Sequence, residues 1–416
     1  KDYSVDPGEE YWDKFPSNFN ECGGTPFKID AKKLERYVME ADPDFATLVL
    51  LKKVLDDIEN GCDLAISDDY EPTVSKNAPS CASRGPHISD MIAKGCKDKI
   101  LIGPLKTRPK RATVNSMQPA DRHDGKVRLI VNYSSPKEKG INFFINKDTY
   151  PSRMGGIKEV LFALNYCGRG CRFAKCDWQS AYKHLAVKHG QVKFQYFQWL
   201  GKFFAELCLV FGCVSSVGLY DRFARLMIVI AMLYENYLWF LLVQHLDDFV
   251  IFGPGSDDRV DRMYKRYCEI CADVGVCLQA PEDASLDKAF APTTRGSILG
   301  IWFDTVLWIW WLSEEKVSRY TNDLLDLLAL SSTTQRKIWE SVGKVLYVAS
   351  LLPGSKYHVS EMLRVNNLSD NPSEVIVLTK ALKKELAWWV PMIRPVSYTH
   401  LRAHETSLHL VCRLLL

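Results

Sequence analysis

The segment Leu241 to Gly255, LLVQHLDDFVIFGPG, constrains this chain more than any other. Two adjacent carboxylates, Asp247 and Asp248, stand between strongly apolar runs. The break between the runs is short and their composition is that of buried strands, so the pattern predicts a β-hairpin with the acids at its turn. Like charges side by side in such surroundings are costly unless a positive group joins them. An isolated Asp-Asp is ordinarily a solvated turn, and flanks this apolar argue against that reading. A third acid, Asp177, ends another predicted strand in RFAKCDWQSAY. If the two strands pair, the three carboxylates converge on one sheet edge. Such a cluster suits Mg²⁺, which takes one or two carboxylates plus substrate phosphates, and paired metals roughly 4 Å apart serve phosphoryl transfer.

At 416 residues, 47% hydrophobic and 25% charged, the chain can bury a large core and is expected to form more than one domain. A net charge of +3 does not by itself announce nucleic acid, although bases crowd the stretch from Lys94 to Lys139. Thirteen cysteines without regular spacing point to buried free thiols in a reducing, intracellular compartment, cytoplasmic or nuclear, and no zinc site is predicted. The apolar run Leu226 to Val243 is interrupted by YENY and reads as a core helix leading into a strand, so no membrane span is expected. The chain starts at Lys1 without a methionine, and its true N-terminus is expected to be missing.

Residues 1–44 read as a polar, poorly packed arm. The first helix is predicted at DFATLVLLKKVLDDIENG, stopped by Gly61. HISDMIAKGCKDKILIGPL follows as helix and extended segment, KVRLIVNYSS as a strand, KFQYFQWLGKFFAELCLVFG as an aromatic hairpin, and Ser216 to about Tyr237 as a helix. DDRVDRMYKRYCEICADVG is a further helix, GSILGIWFDTVLWIWWLSEE a further hairpin, and the region from Lys316 to about Leu368 turns helical. Mixed strands and helices with an antiparallel acidic hairpin and a helical C-terminal part predict an α+β protein.

These segments, taken in order, resemble a retroelement reverse transcriptase, most closely the DIRS-like and Ngaro-like elements, over about residues 45–390. DGKVRLIVNYSSPKEKGIN is similar to the fingers segment, CDWQSAYKHLAV to the first catalytic motif, and FGCVSSVGLYDRF to the template-and-nucleotide helix. HLDDFVIFG is similar to the catalytic acid pair, and SILGIWFDTVLWIWWLSEEK to the primer-grip hairpin. The resemblance implies a right-hand polymerase fold of fingers and palm (45–315) and thumb (316–372), with 373–395 leading into a missing RNase H domain. VSYTHLRAHETSLHLVCRLLL changes character abruptly and is similar to translated adaptor read-through, so 396–416 is expected to be a non-native tail.

The implied activity is template-directed DNA synthesis with an RNA or DNA template, a primer and dNTPs, and two Mg²⁺ ions, with Mn²⁺ as the alternative metal. Asp177, Asp247 and Asp248 carry the catalytic and metal-binding assignment, Asp248 being the adjacent acid nearer the primer end. Arg128 would reach the triphosphate, helped by Arg122 and Lys126, and Lys288 would stand near the leaving pyrophosphate. Tyr182 would stack under the incoming sugar, with a buried core tyrosine as the alternative. Gly212 and Ser216 match the segment along which template and nucleotide lie, and helix capping is the other role open to Ser216. His245 stands where the family usually carries an aromatic, Val217 where a proline is common, and Phe211 replaces a glutamine of retroviral relatives. The rival readings are an RNA-dependent RNA polymerase, against which Tyr182 speaks, and an inactive or co-opted nucleic-acid-binding fragment. The sequence sets no oligomeric state.

Overall fold

Several helices in this protein begin where the sequence supplies a side-chain cap. In the computed structural model, which describes residues 25–121, 127–281, 288–352, 355–393 and 399–400, the helix Phe45–Asn60 opens at Asp44, whose carboxylate accepts from the Thr47 amide at 2.7 Å, and ends at Gly61. A helix also forms at Ala31–Glu40, capped by Asp30, within the stretch expected to be a loose arm. Its core face is only Leu34 and Val38, four residues apart and both fully buried, so its polar composition hid a real amphipathic turn pattern. Residues 1–24 of the expected arm lie outside the described residues.

Among the described residues, six strands precede the long helix Val214–Glu235: β1 (Leu101–Leu105), β2 (Val114–Asp121), β3 (Val127–Asn132), β4 (Arg172–Asp177), β5 (Tyr196–Trp199) and β6 (Lys202–Glu206). After it come β7 (Leu242–His245), β8 (Asp248–Gly253), β9 (Phe290–Thr293), β10 (Arg295–Ile298), β11 (Ile301–Asp304), β12 (Ile309–Trp311), β13 (Ser332–Thr334), β14 (Val375–Val377) and β15 (Thr399–His400).

The chain divides into two compact units, each drawn from discontinuous stretches. The first takes residues 1–154, 177–237 and 265–279 and holds a five-stranded sheet in the order β1-β6-β5-β2-β3. The aromatic hairpin is β5–β6, pairing Tyr196 with Ala205 through Trp199 with Lys202, and its turn at Leu200 and Gly201 has both residues left-handed, which matches the twist of paired strands. Val114, Tyr196, Phe203 and Ala205 form its core cluster. The helix Val214–Glu235 buries Leu219, Phe223, Leu226, Met227 and Ile230, which explains its membrane-like hydropathy. Among the described residues no helix is long and apolar enough to cross a membrane. The described cysteines are free thiols, and Cys62, Cys81, Cys171, Cys176, Cys208, Cys213 and Cys271 are buried.

The second unit takes residues 155–176, 238–264 and 280–416. One sheet has the order β7-β8-β4-β9, so three distant stretches of sequence meet in it. This pairing is why each unit is drawn from discontinuous stretches of the chain. Phe173, Phe252 and Phe290 pack together across the sheet, with ring centroids 6.0 and 5.6 Å from Phe173. The expected single hairpin after it is a three-stranded meander, β10–β11–β12, because Leu299 and Gly300 make an additional tight turn. Helices Glu314–Ala329, Gln335–Ala349, Ser360–Asn366 and Lys380–Ile393 make up the helical C-terminal part. Lys380–Ile393, read from sequence as a lead-in to another domain, packs on Glu314–Ala329 and buries Leu382, Leu386, Trp389 and Ile393. In the stretch read as a non-native tail, β15 pairs with β12, and 401–416 lie outside the described residues. Helices are interspersed with sheets whose described pairings are largely antiparallel, β2 with β5 being parallel, an α+β architecture.

Candidate active site

The acid hairpin forms as its sequence predicts. β7 and β8 pair from Leu242 with Ile251 down to His245 with Asp248, leaving Leu246 and Asp247 as a two-residue turn. Leu246 takes φ 52°, a left-handed conformation that glycine usually supplies in such turns and that costs a branched residue about 1–3 kcal/mol. The hairpin therefore carries local strain at its acidic tip. His245 Nδ1 lies 2.7 Å from the Gly155 carbonyl, which can only accept, so Nδ1 holds the proton of that bond. Gly155 in turn donates to the Gln244 carbonyl at 2.7 Å, tying the segment before helix Ile157–Cys167 along β7.

Asp248 opens β8 and its side chain is 24% exposed. Burial pushes its carboxyl above the usual carboxylate range, and the neighbouring Lys175 ammonium opposes that push. Lys175 Nζ stands 3.0 Å from Asp248 Oδ2, and its own side chain is 4% exposed. This lysine on β4 is the positive group that the paired carboxylates demanded. Asp177, two residues further on, is the last residue of β4, the strand next to β8 in the sheet order. Its carbonyl accepts from Gln279 at 2.8 Å. Asp177, Asp247 and Asp248 are all partly exposed.

The donor atoms that the hairpin presents are carboxylate oxygens, which fit a hard cation such as Mg²⁺ and not a thiolate-loving metal. Among the described residues no group of three or more His, Cys, Asp or Glu side chains is placed to hold a metal ion.

In the first unit, Arg128 lies exposed on β3 with its guanidinium 5.2 Å from the centre of the Phe211 ring. Phe211, 50% exposed, meets the Tyr182 ring edge-on at 4.6 Å, and Tyr182 meets Tyr220 at 5.5 Å. Tyr182 is only 5% exposed, so the structure gives it the packing of a core tyrosine beneath a half-exposed phenylalanine. Gly212 adopts φ 95°, and a Cβ there would come within 3.0 Å of the Val131 carbonyl; only glycine fits this exposed bend. The Asn142 amide donates to its carbonyl at 2.7 Å.

Ser216 is fully buried in the first turn of helix Val214–Glu235, where its hydroxyl accepts from the Val210 amide at 3.3 Å, and the capping position belongs to Cys213. The serine thus anchors the segment that leads into the helix and does not cap it. Lys288 is exposed just before β9 in the second unit. Arg122 and Lys126 lie outside the described residues.

Sequence reasoning missed Lys175, Leu246 and Gly155. A signal for the first was available: a lone lysine in FAKCD, an otherwise apolar strand ending in an acid.

No sequence-family profile matches the chain, and no curated protein does. Its fold does match solved structures. The foamy viral protease-reverse transcriptase dRH in complex with double-stranded DNA aligns with a TM-score of 0.56 at 14% identity, covering 89% of this chain and 60% of that one. The foamy viral protease-reverse transcriptase in complex with an RNA/DNA hybrid gives 0.56 at 13%, covering 87% and 46%, and a further complex with double-stranded DNA gives 0.53 at 14%, covering 90% and 73%. At these identities the likeness establishes the fold alone, which is reverse-transcriptase-like. The chain spans 60% and 46% of the first two proteins it matches.

Proposed function

We propose that this protein performs template-directed DNA synthesis, adding deoxynucleotides to a primer 3′ end on an RNA template and also on DNA. The observation that supports this reading is the acid hairpin: in a reverse-transcriptase-like fold, the strand next to β8 ends in a third acid, and a buried lysine is retained to balance the pair. Asp177 and Asp247 would hold two divalent cations, whose bound chemistry is to lower the pKa of the primer hydroxyl and to offset charge on the leaving pyrophosphate. Arg128, with Arg122 and Lys126, would hold the triphosphate from the fingers, and Lys288 would sit on the pyrophosphate side. Tyr182 would select the deoxy sugar, with Phe211 and Gly212 lining the approach. Phosphate contacts of this kind position a duplex without reading bases, so copying is left to base pairing.

On the same reading the chain derives from a DIRS-like or Ngaro-like retroelement, with fingers and palm over 45–315 and a thumb over 316–372. The experiment is primer extension on matched RNA and DNA templates with Mg²⁺ and dNTPs. Extension on the RNA template is the expected result. Binding of primer-template without any extension would replace this function with that of a nucleic-acid-binding fragment, and extension with ribonucleotides only would make it an RNA polymerase.

A further inference from the structure

Lys175 occupies a place where an ammonium is costly to keep. It sits inside β4 between the buried Ala174 and Cys176, opposite Phe290 in the strand register, with a side chain 4% exposed. A methionine of similar length would fill that space without a charge. The amine points to Asp248, 3.0 Å away, and not to solvent. We propose that Lys175 is a positioning residue of the acid hairpin. In this role it is the built-in counter-ion of Asp248, withholding that carboxylate from metal so that Asp177 and Asp247 alone hold divalent cations. The inference rests on the nucleotidyl-transfer reading above and divides the three acids by role. Asp248 then fixes the start of β8, and with it the direction in which the neighbouring Asp247 leaves the strained turn at Leu246.

The test is direct Mn²⁺ binding to the whole chain, followed by the electron-spin-resonance signal of free Mn²⁺, with no nucleotide present. Lys175→Met should tighten Mn²⁺ binding by about tenfold, since a nearby cation is lost and a carboxylate is released. The charge-balanced double variant Lys175→Met/Asp248→Asn should return to within about threefold of the unmodified protein, as should Lys175→Arg. Asp247→Asn should weaken binding by about tenfold or more. If the double variant loses affinity as severely as Asp247→Asn, Asp248 is a ligand and the proposal is overturned; unchanged affinity in Lys175→Met also overturns it. Should Lys175→Met fail to fold, the double variant, which leaves no buried charge unpaired, still decides. A different result, Mn²⁺ binding indifferent to both Asp177→Asn and Asp247→Asn, would sink the nucleotidyl-transfer reading itself.

Discussion

The acid hairpin of the second unit and the aromatic corner of the first handle buried polar atoms in opposite ways. At the corner everything is made neutral. His184, 1% exposed, lies within hydrogen-bonding distance of the Ala181 carbonyl through Nδ1, and its Nε2 accepts from the Cys277 amide, both at 3.1 Å. Phe27 stacks on the imidazole, and the Trp178 indole donates to the Tyr267 hydroxyl at 2.7 Å. At the hairpin the chain keeps formal charges, Lys175 against Asp248, although replacing a buried ion pair with packed apolar side chains is often neutral or stabilising. The first unit keeps a buried ion pair too, Asp57 with Arg222, so a buried charge alone does not mark chemistry; what sets the hairpin apart is a pair of adjacent carboxylates beside one buried lysine.

The sharpest way to break this contrast is to neutralise the hairpin and strand-end acids. Asp177→Asn or Asp247→Asn should lower primer extension by at least about a thousandfold, roughly 4 kcal/mol of barrier, with the melting temperature little changed. Steady-state extension at equal folded concentration measures it. Comparable rates in either variant would remove these acids from the mechanism and leave the hairpin a structural turn.

The corner should respond through stability and pH. Burial pushes the His184 imidazole down to about 4 from its ordinary 6.5. The folded state thus holds it neutral while the unfolded chain takes up a proton below 6.5, so its contribution is complete above that pH and is lost as pH falls toward 4. Between pH 7 and pH 5 the loss should be about 2 kcal/mol. Asp57 works the other way over part of this range, because burial raises its carboxyl to about 6 despite its ion pair with Arg222. The informative quantity is therefore the difference between the unmodified protein and His184→Gln in urea unfolding at the two pH values. A difference that does not change with pH would show that His184 titrates in the fold as it does in the unfolded chain.

The hairpin was legible in the sequence because two apolar runs around adjacent acids admit few other structures, and the tight turn at Asp247 then follows. Lys175 was not legible as a partner: side chains alternate along a strand, so a lysine between Ala174 and Cys176 reads as facing water until the neighbouring strand is known. That neighbour, β8, lies some seventy positions along the chain, and local pattern carries no information about it. Ser216 illustrates the converse. A serine near a helix start suggests a cap, yet Cys213 takes the capping position and the serine turns inward to Val210. The helix Ala31–Glu40 was hidden for a third reason, since two buried residues are too few to raise a polar segment above the level of a loop.

The smallest effect concerns Tyr182, where hairpin chemistry and corner packing make different demands on one residue. Its ring is buried edge-on against Phe211 and Tyr220, so Tyr182→Val should cost stability as any emptied core site does, about 2–4 kcal/mol. That loss alone says nothing of function. If the ring also lies beneath the incoming sugar, a ribose would bring its 2′-hydroxyl against the ring edge and find no partner to replace its water. Removing the ring then relieves ribonucleotides more than deoxynucleotides, and the ratio of their kcat/KM values should shift toward ribose by about tenfold, equal to about 1.4 kcal/mol of differential transition-state binding. Single-nucleotide insertion with matched ribo and deoxyribo substrates, normalised to folded protein, reads this ratio independently of stability. A ratio that stays constant in the folded variant would leave Tyr182 as packing only and shift sugar choice to the exposed Phe211, which stands between it and Arg128.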